Sequence, residues 1–232
     1  MRTKVALFTM VLILGLLGGS AAMAGTVAAC AAATGGPSPG NTVFPVNCTG
    51  DTAGTLLAYM SSPFSYSTTG GTNSGFVDSA VYKDGSTLDF YYQVVNNSSS
   101  TNALARETDT SFVGFTTDAA YRTDGVSLAG SGFTNGNWAP ITADSNSNGS
   151  VIGFSFNPPI SNEIAPGTSS YVLIISTNAS SYDIGNANII DGGTGTVAAF
   201  QPTTSGVPEP ASLGLLGLGL IGLACLRRRR SL

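Results

Sequence analysis

Apolar and polar residues alternate along much of the middle of this 232-residue chain. In the clearest stretch, one face carries Leu88, Phe90, Tyr92 and Val94, and the other carries Thr87, Asp89, Tyr91 and Gln93. A period of two is typical of a β-strand that buries one face. The run Phe76–Tyr82 predicts a preceding strand, and Asp84-Gly85 between the two runs predicts a hairpin turn.

Further apolar runs predict more strands, separated by the Gly, Asn, Asp, Ser and Pro clusters typical of turns. These runs are Leu56–Tyr59, Phe112–Thr116, Ala119–Leu128, Val151–Phe156, Tyr171–Thr177, Asn188–Ile190 and Thr196–Phe200. The stretch Tyr171–Ser176 is apolar on both faces, so we expect a central strand there. Only Thr101–Asp109 predicts a short helix. The pattern favours an all-β domain over 25–200, an antiparallel β-sandwich.

A second apolar segment precedes this domain. Residues 1–24 begin with two basic residues, continue with the apolar run Val5–Leu17 and end in Ala22-Met23-Ala24. A short apolar core followed by small residues at Ala22 and Ala24 predicts a secretory signal peptide. The secretory translocon and a signal peptidase are the partners that this segment implies. Thirteen apolar residues are too few for a comfortable membrane span.

A third apolar segment closes the chain after a predicted linker, 201–206. Val207, Pro208, Glu209 and Pro210 lead into Ala211–Leu226, which is sixteen residues long and carries no charge. As a helix it is about 24 Å long, somewhat short of a hydrocarbon core of roughly 30 Å. The basic tail 227–232 contains Arg227, Arg228, Arg229 and Arg230, which the positive-inside rule retains in the cytoplasm. The segment therefore predicts a transmembrane helix with the domain on the opposite side.

The proline-glutamate-proline entry, the short apolar helix and the arginines together resemble the PEP-CTERM sorting signal of Gram-negative bacteria. Three interior stretches, Phe112–Thr117, Gly153–Phe156 and Asp191–Thr194, look like those of other PEP-CTERM exported domains. The resemblance implies sorting to the cell envelope or exterior, often alongside exopolysaccharide production. It also implies processing near residues 207–210 by an exosortase-type membrane enzyme. It implies no biochemical activity for the domain itself.

Charge and cysteine usage agree with export. The segment Gly25–Gly206 holds three basic and twelve acidic residues, a formal charge of −9, so nucleic acid is not an expected partner. Cys30 and Cys48 are the two cysteines of this segment, and they predict a disulfide worth about 3 kcal/mol. The alternative is a lipoprotein-type site at Val27-Ala28-Ala29-Cys30, although that cysteine lies twelve residues beyond the apolar core.

The chain has no histidine, which excludes histidine-based catalytic triads and histidine-ligated zinc. Glu107 and Glu163 are the only glutamates in the domain, and we interpret them as solvated loop acids or as strand-end partners of Arg106 or Arg122. No cofactor and no metal is predicted. We expect a non-enzymatic structural or matrix-associated protein. The alternatives are a carbohydrate-binding module, in one version calcium-dependent, and an enzyme that acts through carboxylates alone.

Two loops bear on the binding alternative. Asp144–Gly149 matches the first half of a calcium loop, but its twelfth position is Ser155 rather than the bidentate glutamate. The competing interpretation is a polar hairpin loop. Trp138, the only tryptophan, could stack on a sugar ring from a loop or anchor the core.

Overall fold

The computed structural model describes residues 36–204. The predicted signal peptide and the segment 207–232 lie outside these residues. Within 36–204, no helix is both long enough and apolar enough to cross a membrane.

Twelve strands make up most of the described chain. In chain order they are β1 (Thr42–Val43), β2 (Val46–Asn47), β3 (Thr55–Thr68), β4 (Gly71–Asp84), β5 (Thr87–Asn96), β6 (Arg106–Thr110), β7 (Thr117–Arg122), β8 (Thr142–Ser145), β9 (Val151–Ser155), β10 (Val172–Thr177), β11 (Ser181–Ile190) and β12 (Thr194–Thr203). Two single-turn 3-10 segments, Gly125–Ser127 and Ile160–Asn162, are the helical elements of this part of the chain.

The strands form two six-stranded sheets. The first sheet has the order β1-β8-β9-β6-β11-β12, and the second has the order β2-β7-β10-β5-β4-β3. Every pair is antiparallel except β2 and β7, which are parallel. The predicted all-β sandwich is confirmed.

The main core lies between the sheets and follows the predicted alternation. Leu88, Phe90, Tyr92 and Val94 on β5 are all at most 3% exposed and belong to this core. The hairpin between β4 and β5 is also confirmed. Asp84 pairs with Thr87, and Gly85 begins the turn with a φ of 57°, a conformation that glycine adopts at little cost.

The outer face of the second sheet is covered as well. Tyr91, Val172 and Ile174 on this face pack in a smaller cluster with Leu128 and Phe133. We call the segments 48–54 and 123–134, which lie over this face, the outer cover. Gln93 holds the outer cover to β5, because its side-chain carbonyl accepts from the Thr134 N–H at 2.8 Å and its amide donates to the Thr134 carbonyl at 3.0 Å. The central strand predicted at Tyr171–Ser176 is confirmed as β10, buried on both faces.

Three predictions about local structure are wrong. The predicted helix at Thr101–Asp109 is instead a loop that leads into β6, which pairs with both β9 and β11. Two helical turns are marginal alone, and ladder pairing on both sides outweighs them. The predicted strand Phe112–Thr116 is a turn, with φ of 72° at Ser111 and 85° at Gly114.

The third error concerns Ala119–Leu128, where the strand ends at Arg122 and a 3-10 turn follows. Three other strands are much longer than predicted, since β3 extends to Thr68, β4 begins at Gly71 and β11 begins at Ser181. Strand β12 continues to Thr203, three residues into the segment predicted as a linker.

Two hydrogen bonds join the sheets at Phe200 of β12. The Tyr92 hydroxyl donates to the Phe200 carbonyl at 2.6 Å, and the Phe200 N–H donates to the Ser79 hydroxyl at 3.0 Å. Because β12 is at the edge of the first sheet, these side chains of the second sheet satisfy backbone groups that no neighbouring strand would reach.

We therefore expect Tyr92→Phe to lower the free energy of unfolding by about 1–3 kcal/mol, because it leaves the buried Phe200 carbonyl without its donor. Urea denaturation measures this change. Tyr121→Phe is the control, since that half-buried ring is stacked on Tyr171 and should lose little. Equal stability of wild type and Tyr92→Phe would contradict the role of this bond.

Candidate functional site

Of the site residues predicted from sequence, only Cys48 lies within the described chain. It is 3% exposed, its N–H donates to the Tyr121 carbonyl at 2.8 Å, and its sulfur is in a disulfide. Its partner lies outside the described residues, so pairing with Cys30 stays a prediction. Ala22 and Ala24, the motif at 207–210 and the arginines at 227–230 also lie outside them.

The Asp144–Gly149 stretch is the hairpin loop between β8 and β9. Asp144 forms an ion pair with Arg106. The side-chain oxygen of Asn146 accepts from the Val151 N–H at 3.1 Å, and that of Asn148 accepts from the Ser150 N–H at 3.0 Å. These oxygens already serve the loop, and residues 36–204 contain no group of three acidic, cysteine or histidine side chains placed to hold a metal. The geometry favours the polar-hairpin interpretation.

Trp138 is half-buried and packs against the main core. Its indole N–H donates to the Thr168 hydroxyl at 2.8 Å, and its backbone bridges to Ser170. This arrangement favours the core-anchor interpretation over a sugar-stacking platform.

The interpretation of Glu107 and Glu163 as solvated or arginine-paired acids is wrong. Glu107 is 0% exposed, and Glu163 is 8% exposed and accepts from the Asn157 amide at 2.6 Å. Arg106 pairs with Asp144 instead, and Arg122 pairs with Asp124.

Glu107 has a companion that the sequence reasoning missed. Asp109 follows two residues later on β6, is 1% exposed and points into the same core. Their ladder neighbours on β9 and β11 are Ile152, Phe154, Ala187 and Ile189, all buried. Apart from the interaction of the two carboxyls with each other, none of their four oxygens has a hydrogen-bond partner among the described residues. Interpretation of residues 106–110 as a strand would have placed both carboxyls on one face.

Burial dominates the electrostatics of this carboxyl pair. It raises the pKa of Glu107 to about 7, and burial together with the Glu107 charge raises the pKa of Asp109 well above its usual range. Arg106 lies beside them on β6, and Tyr92 faces them from β5. Because the pair is sealed between the sheets, no substrate reaches it in this conformation. It is a proton-holding pair within the core.

A cavity of about 500 Å³ opens on the outer face of the second sheet, where the two segments of the outer cover diverge. We call it the Arg122 cavity; its lining comprises Gly50, Asp51, Thr52, Ala53, Gly54, Leu56, Tyr82, Arg122, Asp124, Ser127, Leu128 and Ala129. The Arg122 guanidinium is held in place by the Asp124 carboxylate, with two contacts of 2.6 and 2.7 Å, and by the Asp51 carbonyl at 3.0 Å. These hydrogen bonds hold the pKa of Asp124 at about 2.

Tyr82 lies at the floor of the Arg122 cavity and is 2% exposed. Its hydroxyl has no partner within hydrogen-bond distance among the described residues. The Ser131 hydroxyl, which donates to the Leu128 carbonyl at 2.6 Å, lies near enough to oppose the rise in the Tyr82 pKa that burial causes. Sequence reasoning could not find this site, because its walls come from three separate parts of the chain.

A second cavity of about 490 Å³ lies at one end of the sandwich, between the segment 36–41 and the loops that contain Phe115 and Asn148. The same end carries the last residues of β12. Thr203 pairs with Ser181, four residues after Thr177, which pairs with Thr117 in the wall of this cavity.

Fold and cavities together define an all-β domain with a polar surface cavity and a last strand that ends shortly before the tail. Residues 206–230 match the PEP-CTERM protein-sorting motif. The chain is thus a protein that carries a PEP-CTERM motif, which implies export, membrane-associated sorting and processing by an exosortase, a membrane enzyme. No curated protein and no solved structure matches it.

The carboxyl pair predicts a pH-dependent stability. The folded state holds the protons of Glu107 and Asp109 more tightly than the unfolded chain, so the free energy of unfolding is highest at or below the ordinary carboxyl pKa and falls as the pH rises. Titration of the pair should lower the free energy of unfolding between about pH 4.5 and about pH 8, by an amount on the order of a few kcal/mol. The lowered pKa of Asp124 acts in the opposite direction, and only below about pH 4.

Urea denaturation at a series of pH values tests this. Glu107→Gln should reduce the decline in the free energy of unfolding between acid and neutral pH, because its amide does not titrate. Thr108→Ser, on the outward side of the same strand, should retain the wild-type slope. A wild-type stability that rises from acid to neutral pH would contradict the assignment.

Proposed function

We propose that this protein is an exported, non-enzymatic structural or matrix-associated component of the cell envelope or exterior. It is made as a precursor, held for a time in the inner membrane by its C-terminal helix and then released. The observation that supports this proposal is where β12 ends. The last strand of the sandwich is complete at Thr203, so only residues 204–206 separate the folded domain from Val207.

Three residues of extended chain span at most about 10 Å, so the motif begins within that distance of the end of the domain. Two prolines, Pro208 and Pro210, disfavour regular helix at the entry to the apolar segment, so we expect this stretch to be accessible to a membrane enzyme. Cleavage there would remove the tail and leave every described strand intact. Delivery and release thus leave the domain's fold unchanged.

The domain itself has features suited to life outside the cell. Its long edge strand, β3, carries Pro63 near its middle, which interrupts the row of backbone donors that another strand would need. Cys48 adds a disulfide. These features support a durable matrix protein.

The alternative is a carbohydrate-binding module that associates with extracellular polysaccharide. The Arg122 cavity supports it, because hydroxyl, carboxylate and guanidinium groups converge there beside apolar side chains. The Asp144 loop gives no support for calcium dependence, since its oxygens are engaged within the hairpin.

Replacement of Pro208, Glu209 and Pro210 by alanine tests the proposed processing. We expect the variant to enter the membrane normally, because the apolar helix and the arginines are unchanged, but to stay there at full precursor size. Fractionation of cells followed by immunoblotting measures the distribution between membrane and exterior.

The matched control replaces Arg227–Arg230 by alanine. It should loosen membrane topology and retention instead, because the charges that resist translocation are lost. Release of the alanine-motif variant as efficiently as the wild type would show that the tail is only an anchor.

A further inference from the structure

The Arg122 cavity has the donors and acceptors of a binding site. Asp124, Ser127 and Asp51 are among the residues that line it. The Arg122 guanidinium, 3% exposed, forms part of the base and is fixed by its bonds to Asp124 and Asp51. A buried arginine locked by a bidentate carboxylate is preorganised, so it needs little reordering when a ligand binds.

The Tyr82 hydroxyl is the second observation, and it is independent of the ion pair. A buried hydroxyl without a partner costs the fold about 1–3 kcal/mol, so such groups are rare unless something supplies the missing bond. Tyr82 lines the cavity, but its hydroxyl is covered in this conformation. A ligand oxygen that supplies the missing bond must therefore displace the side chains that cover the hydroxyl.

Charge decides the class of ligand. The lining carries one positive and two negative side chains, Arg122 against Asp51 and Asp124, and the arginine is already neutralised by Asp124. An anion would meet an uncompensated carboxylate. The polar groups require a ligand that both donates and accepts hydrogen bonds, which a hydroxyl does.

Shape and polarity narrow the class further. Leu56 and Leu128, with Ala53 and Ala129, add apolar side chains to a lining that also carries polar groups. A sugar ring likewise combines hydroxyl groups with apolar C–H groups.

We infer that the Arg122 cavity binds a single neutral sugar residue, one hydroxyl of which forms the hydrogen bond that the Tyr82 hydroxyl lacks. This inference rests on the alternative function given above and assigns it a site. A ligand of this size in an open cavity should bind with a dissociation constant of roughly 0.1–10 mM.

The test uses the full chain in a detergent without a sugar headgroup. Saturation-transfer NMR titrations with the methyl glycosides of glucose, galactose and mannose should detect binding of at least one of them. Glucuronate, the anionic counterpart, should bind at least about tenfold more weakly than the best neutral glycoside.

Tyr82→Phe is the decisive variant, because it removes the unpaired hydroxyl and leaves the ring in place. It should weaken the affinity for the best glycoside about 3–10-fold, which is the expected effect of losing one neutral hydrogen bond. Its melting temperature without ligand should be unchanged or higher. Tyr59→Phe is the matched control on the same sheet face. It loses a 3.0 Å bond to Asp78, so its melting temperature should fall while its affinity for the glycoside is unchanged.

Equal affinity of wild type and Tyr82→Phe would overturn the inference, as would equal binding of glucuronate or no binding of any glycoside. Retention on cellulose and agarose beads tests the alternative function separately. If the beads retain wild type and Tyr82→Phe equally, the site is wrong while the carbohydrate-binding function stands. If neither the beads nor the glycosides bind the wild type, both are wrong.

Discussion

The second sheet, centred on β10, is apolar on both faces. The need to bury both faces determines where the first sheet and the outer cover lie. The inner face packs on the first sheet, where Leu173 and Ile175 meet the main core, while Val172 and Ile174 face outward. A sheet this apolar on its outer side must be covered, and no third sheet is present in residues 36–204 to cover it. The outer cover does so with Leu128 and Phe133, and the Arg122 cavity is the gap between its two segments.

The main core also contains a costly feature. Two carboxyls, Glu107 and Asp109, replace apolar side chains on β6, and charged groups in such surroundings are disfavoured by several kcal/mol. Burial raises the pKa of both carboxyls and so favours their neutral form, which links the sandwich's stability to pH. Nearby, the Tyr92 hydroxyl donates to the Phe200 carbonyl and joins the two sheets. Buried polar groups in this part of the core therefore include stabilising as well as destabilising ones.

Most of the fold was predictable where apolar residues themselves alternate, as in β5, or fill a whole strand, as in β10. Strand β6 was not predictable in this way. Its inward residues are Glu107 and Asp109, so it shows no alternation of apolar and polar residues. Phe112 is apolar but fills the core from a turn, which periodicity cannot distinguish from a strand. The tail was recognisable because its signal is local. The Arg122 cavity was not, because Tyr82, Arg122 and the outer cover meet only through tertiary packing.

We propose that two terminal segments direct the export of the β-sandwich and are then cleaved from it. The intact mass of the protein isolated from the cell exterior tests this most directly. We predict a chain that begins at Gly25, ends near residues 207–210 and gains two hydrogens on reduction, as one Cys30–Cys48 disulfide requires. A chain that still ends at Leu232, or that carries lipid on Cys30, would contradict the account.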